Sequence, residues 1–98
     1  MNYLLAKPHP KRNIAIQKIW LSNPNRWQGS VIEMGPAGRN VILPILNKLN
    51  ETQLISASAI LGKISKPSDI PLIESVAITS TPLSKKSLKD AIDAIQSR

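Results

Sequence analysis

Two stretches of the chain decide its fold, MGPAGRNVILPILNKL at residues 34–49 and LGKISKPSDIPLIESV at residues 61–76. In both, glycine follows a large apolar residue, and a proline flanked by apolar residues comes nine positions later. Pro44 and Pro71 are therefore 27 residues apart, and each stretch ends on an apolar residue in the same register. Self-similarity at a fixed spacing indicates one structural unit used more than once.

The repeated unit has the periodicity of a helix. Residues 37–49 place Val41, Ile42, Ile45 and Leu49 on one broad apolar stripe, which predicts a core-facing helix. Pro44 lies inside this stripe, and because proline removes a backbone donor we expect the helix to bend or loosen there. No segment alternates in the manner of a strand. The predicted helical segments are 11–21, 24–34, 37–49, one from Asn50 to Ile64, 68–79, and a final one after Pro82.

Helix boundaries are marked by capping residues. Asn23 before Pro24 and Thr81 before Pro82 are typical helix starts, because a polar side chain accepts from the free amides of the first turn and proline fits the first helical position. Asn50 with Gln53 predicts a capping box. We also expect Gly35 to end the second helix in a left-handed conformation, Pro36 to open the third and Ser68 to cap the fifth.

The repeat resembles a known family. In the short HEAT-like repeats of phycobilisome lyases, a small residue and leucine precede a glycine, a short turn follows, and Ile-Pro-x-Leu opens the packed part of the next helix. Residues 59–62 and 70–73 follow this pattern, and the resemblance covers about residues 27–97. The family's charged Asp-x-x-Val-Arg lead-in is replaced by Thr52-Gln53-Leu54-Ile55, so the Asp and Arg ladder between repeats is not expected here. Lyases with such repeats are much longer chains, so we do not expect tetrapyrrole chemistry.

The resemblance and the periodicity together predict an all-α fold, a short α-solenoid of HEAT-like helical hairpins with five to six helices. Residues 1–10 contain Pro8 and Pro10 and are expected to form a leader, and residues 11–98 a single repeat domain. Stacked hairpins bury their apolar faces against one another and form one continuous core. Trp20 and Trp27 are expected to close the N-terminal end of that core. The alternative is that they stack on nucleic acid bases.

Composition narrows the possible functions. The chain has 98 residues, no cysteine and no apolar run near the roughly 20 residues that span a bilayer, and we see no signal peptide. These features predict a cytoplasmic protein. His9 is the only histidine, and no residues have the spacing of a metal site. Asp90 and Asp93 are best explained as helical ion pairs with Lys86 and Lys89. We therefore predict no enzymatic activity, no metal and no cofactor.

The charge distribution suggests an anionic partner. The formal net charge is +7, and residues 1–32 contain no acidic side chain. Our leading hypothesis is a protein-binding adaptor that presents the second helices of its hairpins, including Ser56 and Ser58, to an acidic protein. The alternative is a nucleic-acid-binding module that uses the basic N-terminal segment. A second copy of the chain is a further possible partner, through uncapped repeat ends. The predicted binding residues are Lys7, Lys11, Arg12, Lys18, Arg26, Lys63, Lys85, Lys86 and Lys89.

Overall fold

The computed structural model of the protein describes residues 12–97, with the side chains of residues 14–97. It contains no strand within that range, which confirms the all-helical prediction. The predicted leader, residues 1–10, lies outside the described residues. Within residues 12–97 the chain forms six α-helices, α1 (Arg12–Ser22), α2 (Pro24–Glu33), α3 (Pro36–Ile42), α4 (Glu51–Ile64), α5 (Ile70–Ile78) and α6 (Pro82–Gln96). In the same range, the 3₁₀ helix Leu43–Lys48 follows α3 and the 3₁₀ helix Pro67–Asp69 precedes α5.

Three of the predicted helix starts are confirmed. The Asn23 side chain accepts from the backbone amide of Arg26, and the Thr81 hydroxyl accepts from that of Ser84 at 3.4 Å. At α4 the capping box is complete. The Asn50 side chain accepts from the Gln53 amide at 2.9 Å, and the Gln53 side chain accepts from the Asn50 amide at 3.0 Å. These bonds satisfy amides that have no partner within the helix.

The start of α5 differs from the prediction. Ser68 does not cap a helix, because it lies inside the 3₁₀ turn Pro67–Asp69. Asp69 closes this turn instead, since its carboxylate accepts from the backbone amide of Lys66 at 3.0 Å. The first α-helical residue is therefore Ile70, and Pro71 falls in the first turn, where its missing N–H has no helical partner to lose.

Pro44 has the local effect that the sequence predicts. The α-helix ends at Ile42, and the chain tightens into the 3₁₀ helix Leu43–Lys48. Without an N–H, Pro44 cannot make the bond to the carbonyl four residues earlier, so the α-helical ladder is interrupted here. The chain nevertheless continues in the same direction, and Leu46 is fully buried.

Two glycines shape the corner between α2 and α3. Gly35 has a φ of 60°, as predicted for the residue that ends α2, and side chains other than glycine are strained at this angle. Gly38 lies against the backbone of α2, where a Cβ atom would be 2.2 Å from the Val31 carbonyl oxygen. The two helices therefore approach more closely at Gly38 than any other residue type allows.

Helix α4 packs between α2 and α6, and α4 and α6 run in the same direction. Glu51 at the start of α4 and Ser84 at the start of α6 line one cleft, whereas Gly62 near the end of α4 packs against Ala91 and Ala94 of α6. The hairpin of α3 and α4 is thus followed by the hairpin of α5 and α6, with second helix beside second helix. On the other side, the Ser56 hydroxyl of α4 lies 3.1 Å from the Pro24 carbonyl oxygen of α2.

The core is aliphatic, apart from one tryptophan. Trp20 has no exposed surface and packs with Ile16 at the N-terminal end of the stack. The apolar face predicted for the last helix is buried in full. Within residues 12–97, no helix combines the length and apolar character that are needed to span a membrane. The fully buried aliphatic side chains include Ile16, Val31, Val41, Ile42, Leu46, Ile60, Leu61, Ile73 and Leu88.

Candidate functional site

The candidate site is a groove between α4 and α6, here called the α4–α6 groove. It encloses about 350 Å³ and is open to solvent along its length. Its floor is made of small residues, and the two parallel helices pack closely there, with Gly62 of α4 against Ala91 and Ala94 of α6. The groove is lined by Ile55, Ser58, Ala59, Gly62, Lys63, Ser87, Asp90, Ala91 and Ala94.

Apolar and charged side chains stand along the rims of the α4–α6 groove. Ile55 is 38% exposed on α4. On α6, Leu83 is 61% exposed and lies one turn before Ser87, so it extends the same face beyond the groove. Lys63 and Asp90 are exposed on opposite rims. The surface thus offers apolar contact area together with one charge of each sign.

Two residues predicted for the binding surface are buried instead. Ser56 is 1% exposed, and its hydroxyl lies within hydrogen-bonding distance of the Pro24 carbonyl and of Gln28 Oε1. Ser58 is 3% exposed and donates to the Leu54 carbonyl at 2.7 Å. The prediction was wrong because it treated α4 as having one free side, whereas α4 is flanked by α2 and α6. Small hydroxyl side chains fit these contacts because they can donate a hydrogen bond to a nearby backbone carbonyl.

Two of the three lysines predicted on α6 lie away from Lys63. Lys85 and Lys89 line a separate cavity of about 300 Å³ on the opposite side of α6, together with residues of α5. Lys86 is exposed, and it lies about a quarter turn around the helix axis from Lys85. Within residues 14–97, the ion pairs predicted for Lys86 and Lys89 with the aspartates of α6 are not formed. Helical geometry therefore divides the lysines between two faces.

The basic N-terminal segment is described only in part. Lys7 and Lys11 lie outside the described residues, as does the side chain of Arg12. Lys18 on α1 and Arg26 on α2 are both exposed. Their role in binding therefore stays a prediction.

The two tryptophans have different surroundings. Trp20 is fully buried, so it contributes to the core and is not accessible for base stacking. Trp27 is partly buried against the same core, and the Arg26 guanidinium lies 4.9 Å from its ring centroid. This cation–π contact covers part of the remaining ring face. Both residues therefore pack in or against the hydrophobic core, and the expectation that they close its N-terminal end stays a prediction.

One interaction was missed by the sequence analysis. Arg39 of α3 and Asp69 before α5 form a bidentate ion pair, with Nε to Oδ2 at 2.5 Å and Nη2 to Oδ1 at 3.0 Å. The Arg39 hydrogen bonds, and then the Lys66 amide, hold the pKa of Asp69 below its ordinary value, although burial opposes this. The same pair raises the pKa of Arg39. The sequence signal available for this contact is the 27-residue spacing, because residue 39 corresponds to residue 66 in that register.

The acidic side chains of the described residues do not gather into a metal site. Within residues 14–97, no three His, Cys, Asp or Glu residues are arranged to hold a metal ion. Asp90 and Asp93 are exposed on α6, and His9 lies outside the described part of the chain.

Comparison with known proteins adds no functional information. No protein-family model, curated protein sequence or solved structure matches this chain. The geometry of the chain itself therefore carries the functional proposals.

Proposed function

We propose that the protein is a short HEAT-like α-solenoid that acts as a non-enzymatic adaptor and binds another protein in the α4–α6 groove. The solenoid assignment is supported by the direction of the helices, since second helix lies beside second helix in consecutive hairpins. It is also supported by the burial pattern around the two prolines. Pro44 and Pro71 are exposed, and two positions later Leu46 and Ile73 are both fully buried. Stacked repeats present such a surface to their partners.

The observation that carries the binding proposal is the small-residue floor of the groove between exposed apolar rims. Ala59, Gly62 and Ala94 allow a partner backbone to come close, while Ile55 and Leu83 offer apolar area that is exposed to solvent. An amphipathic helix meets these requirements, because its apolar face fills a groove between two helices.

Charge points to an acidic partner. With a formal net charge of +7, the protein attracts anionic molecules over about a Debye length. Lys63 on one rim and the exposed Lys86 near the other are placed to meet carboxylates that flank the partner's apolar face. Asp90 is an acidic residue among these basic ones. It favours a hydrogen-bond donor or a cation of the partner at its position. We propose an acidic amphipathic helix as the ligand.

A displayed library of helix-forming peptides provides a direct test. We expect peptides selected on the protein to carry an apolar face and net negative charge. Filling the groove by Ala59→Arg or Ala94→Arg should weaken their binding at least tenfold, since neither side chain belongs to the core and the groove would be blocked. Fluorescence anisotropy measures the affinity, and circular dichroism checks that the variants fold.

The matched control is Ile78→Ser, which removes exposed apolar surface on the opposite side of α6. Binding should be unchanged in this variant. Selected peptides that bind the Ala59→Arg variant as tightly as the original protein would refute the groove as the binding site. So would peptides that respond only to the control substitution.

A second candidate is nucleic acid binding at the N-terminal hairpin of α1 and α2. It is favoured by the absence of acidic residues from residues 1–32 and by the exposure of Lys18 and Arg26. If it holds, a labelled single-stranded oligonucleotide should bind at low salt. Its affinity should fall by about 0.7 log units per log unit of salt for each phosphate neutralised, and Lys18→Glu with Arg26→Glu should abolish it. An oligonucleotide that does not bind at about 50 mM salt would eliminate this candidate.

A further inference from the structure

The outer side of the last hairpin carries a second candidate surface, here called the α5–α6 face. It is formed by Glu74, Ala77, Ile78, Lys85, Lys89 and Ile92, which together line a cavity of about 300 Å³. Ile78 is 75% exposed, the largest exposed fraction among the large apolar side chains of the described residues. Ala77 and Ile92 line the same cavity with less than a tenth of their surfaces exposed. A protruding isoleucine beside other apolar residues favours association.

The α5–α6 face has its acidic side chain on one helix and its basic side chains on the other. Glu74 belongs to α5, whereas Lys85 and Lys89 belong to α6, and all three line the same cavity. The two helices are antiparallel partners of one hairpin, joined by only three residues, 79–81. Glu74 therefore lies at nearly the same height along the hairpin as the two lysines, but on the other helix.

A two-fold axis makes this arrangement complementary to itself. The two-fold axis lies in the interface, parallel to both helices and midway between them. Rotation about it exchanges the positions of α5 and α6 but does not shift any residue along the helix direction. Helix α5 of one copy therefore lies over α6 of the other. Glu74 of each copy then meets Lys85 and Lys89 of its partner, and the two Ile78 side chains add apolar contact area at the turn end of the interface. Interfaces of this isologous kind are the commonest in soluble oligomers.

We propose that the α5–α6 face binds a second copy of this chain, forming a four-helix dimer interface with two-fold symmetry. This inference is independent of the groove, since the α4–α6 groove lies on the other side of α6 and stays open in the dimer. Dimerisation would therefore give one particle two partner-binding grooves.

The size of the face sets the expected strength of the dimer. Helix α6 has 15 residues and is about 22 Å long, and two helices side by side are roughly 20 Å wide. The footprint is therefore about 450 Å² per copy, well below the roughly 800 Å² that stable complexes bury on each partner. In addition, two copies of net charge +7 repel each other. We expect a weak, reversible dimer with a dissociation constant of roughly 0.1 to 1 mM.

Sedimentation velocity of the full chain from about 10 µM to about 1 mM tests the proposal. The mass should rise from one chain towards two. Ile78→Ser should weaken the association at least tenfold, because it removes the most exposed large apolar side chain of the face. Ile55→Ser is the matched control in the α4–α6 groove and should leave the association unchanged, so failure of the groove proposal and failure of this one are distinguishable.

A charge exchange identifies the pairing. The Glu74→Lys chain should stay monomeric, since its face carries only cations. A chain with Lys85→Glu and Lys89→Glu should stay monomeric for the opposite reason. Mixing the two should restore an association at least as strong as that of the original dimer, because every cross-interface charge contact is attractive again.

Three results would overturn the inference. The first is a mass of one chain at every concentration, and the second is a mixture of the charge-exchanged chains that forms no heterodimer. The third is a monomeric protein in which Ile78→Ser abolishes binding of an acidic displayed peptide, which would assign the face to another protein.

Discussion

Replacing Gly38 with alanine is expected to destabilise the protein by about 3 kcal/mol, although alanine favours helices. The added Cβ would lie 2.2 Å from the Val31 carbonyl oxygen and 3.1 Å from the side chains of Val31 and Ile64. The nearest atom belongs to the backbone of α2, so relief requires α2 and α3 to move apart. A loss of this size is a large fraction of the roughly 5–15 kcal/mol typical of a small domain. Urea denaturation followed by circular dichroism measures it.

Two other glycines provide the control for this substitution. At Gly29 in α2 an added Cβ would have no neighbouring atom within 4 Å, and at Gly62 in α4 the nearest atom would be 3.5 Å away, an ordinary contact distance. Alanine at either position should therefore raise the free energy of unfolding by up to about 1 kcal/mol through helix propensity alone. Three glycine-to-alanine variants of equal stability would show that α2 and α3 do not meet closely at Gly38.

Replacing Asp69 with alanine is expected to cost about 2 to 3 kcal/mol of stability, the second largest effect. Asp69 is only 7% exposed, and its carboxylate accepts from Arg39 twice and from the Lys66 amide once. The substitution leaves the Lys66 amide without its acceptor and Arg39 without its partner. It also removes the ion pair that links α3 to the start of α5. Asp93→Ala on the exposed side of α6 is the matched control and should change stability by less than about 0.5 kcal/mol.

The same ion pair makes part of the stability dependent on pH. Because the Arg39 hydrogen bonds lower the pKa of Asp69 in the folded state, the unfolded chain binds the proton more readily. The contribution of Asp69 is therefore fully present above the unfolded pKa of about 3.9, and it is lost as the pH falls through the folded pKa. The stability difference between the protein and its Asp69→Asn variant should be constant near neutral pH and should narrow below about pH 4. A difference that stays constant down to about pH 2 would exclude a charged pair.

Local features of the fold were predictable because they depend on neighbouring residues. The capping box at Asn50 and Gln53, the helix starts after Asn23 and Thr81, and the positive φ of Gly35 are all confirmed. Each involves groups within about four residues, whose geometry is set by the chain itself. The loosening of the α-helix at Pro44 belongs to the same class, since a missing N–H acts on the carbonyl four residues earlier.

The binding surface was harder to predict because it depends on which side of each helix is covered. Ser56 and Ser58 have the polarity of surface residues, yet α2 and α6 bury them on either side of α4. Lys63 and Lys85 carry the same charge and belong to second helices, but α6 separates their surfaces. Amino-acid type predicts a preference for exposure, and only the neighbouring helices decide whether a side is free.

The sequence by itself determined that the chain is helical, where most helices begin, and which apolar faces form the core, because periodicity and capping act over one or two turns. The tertiary structure alone decided that Arg39 reaches Asp69, that Gly38 must remain without a side chain, and that the lysines divide between the α4–α6 groove and the α5–α6 face. Those outcomes depend on contacts between residues far apart in the chain. Such contacts depend on how the helices pack against one another, and the composition of a single helix does not predict them.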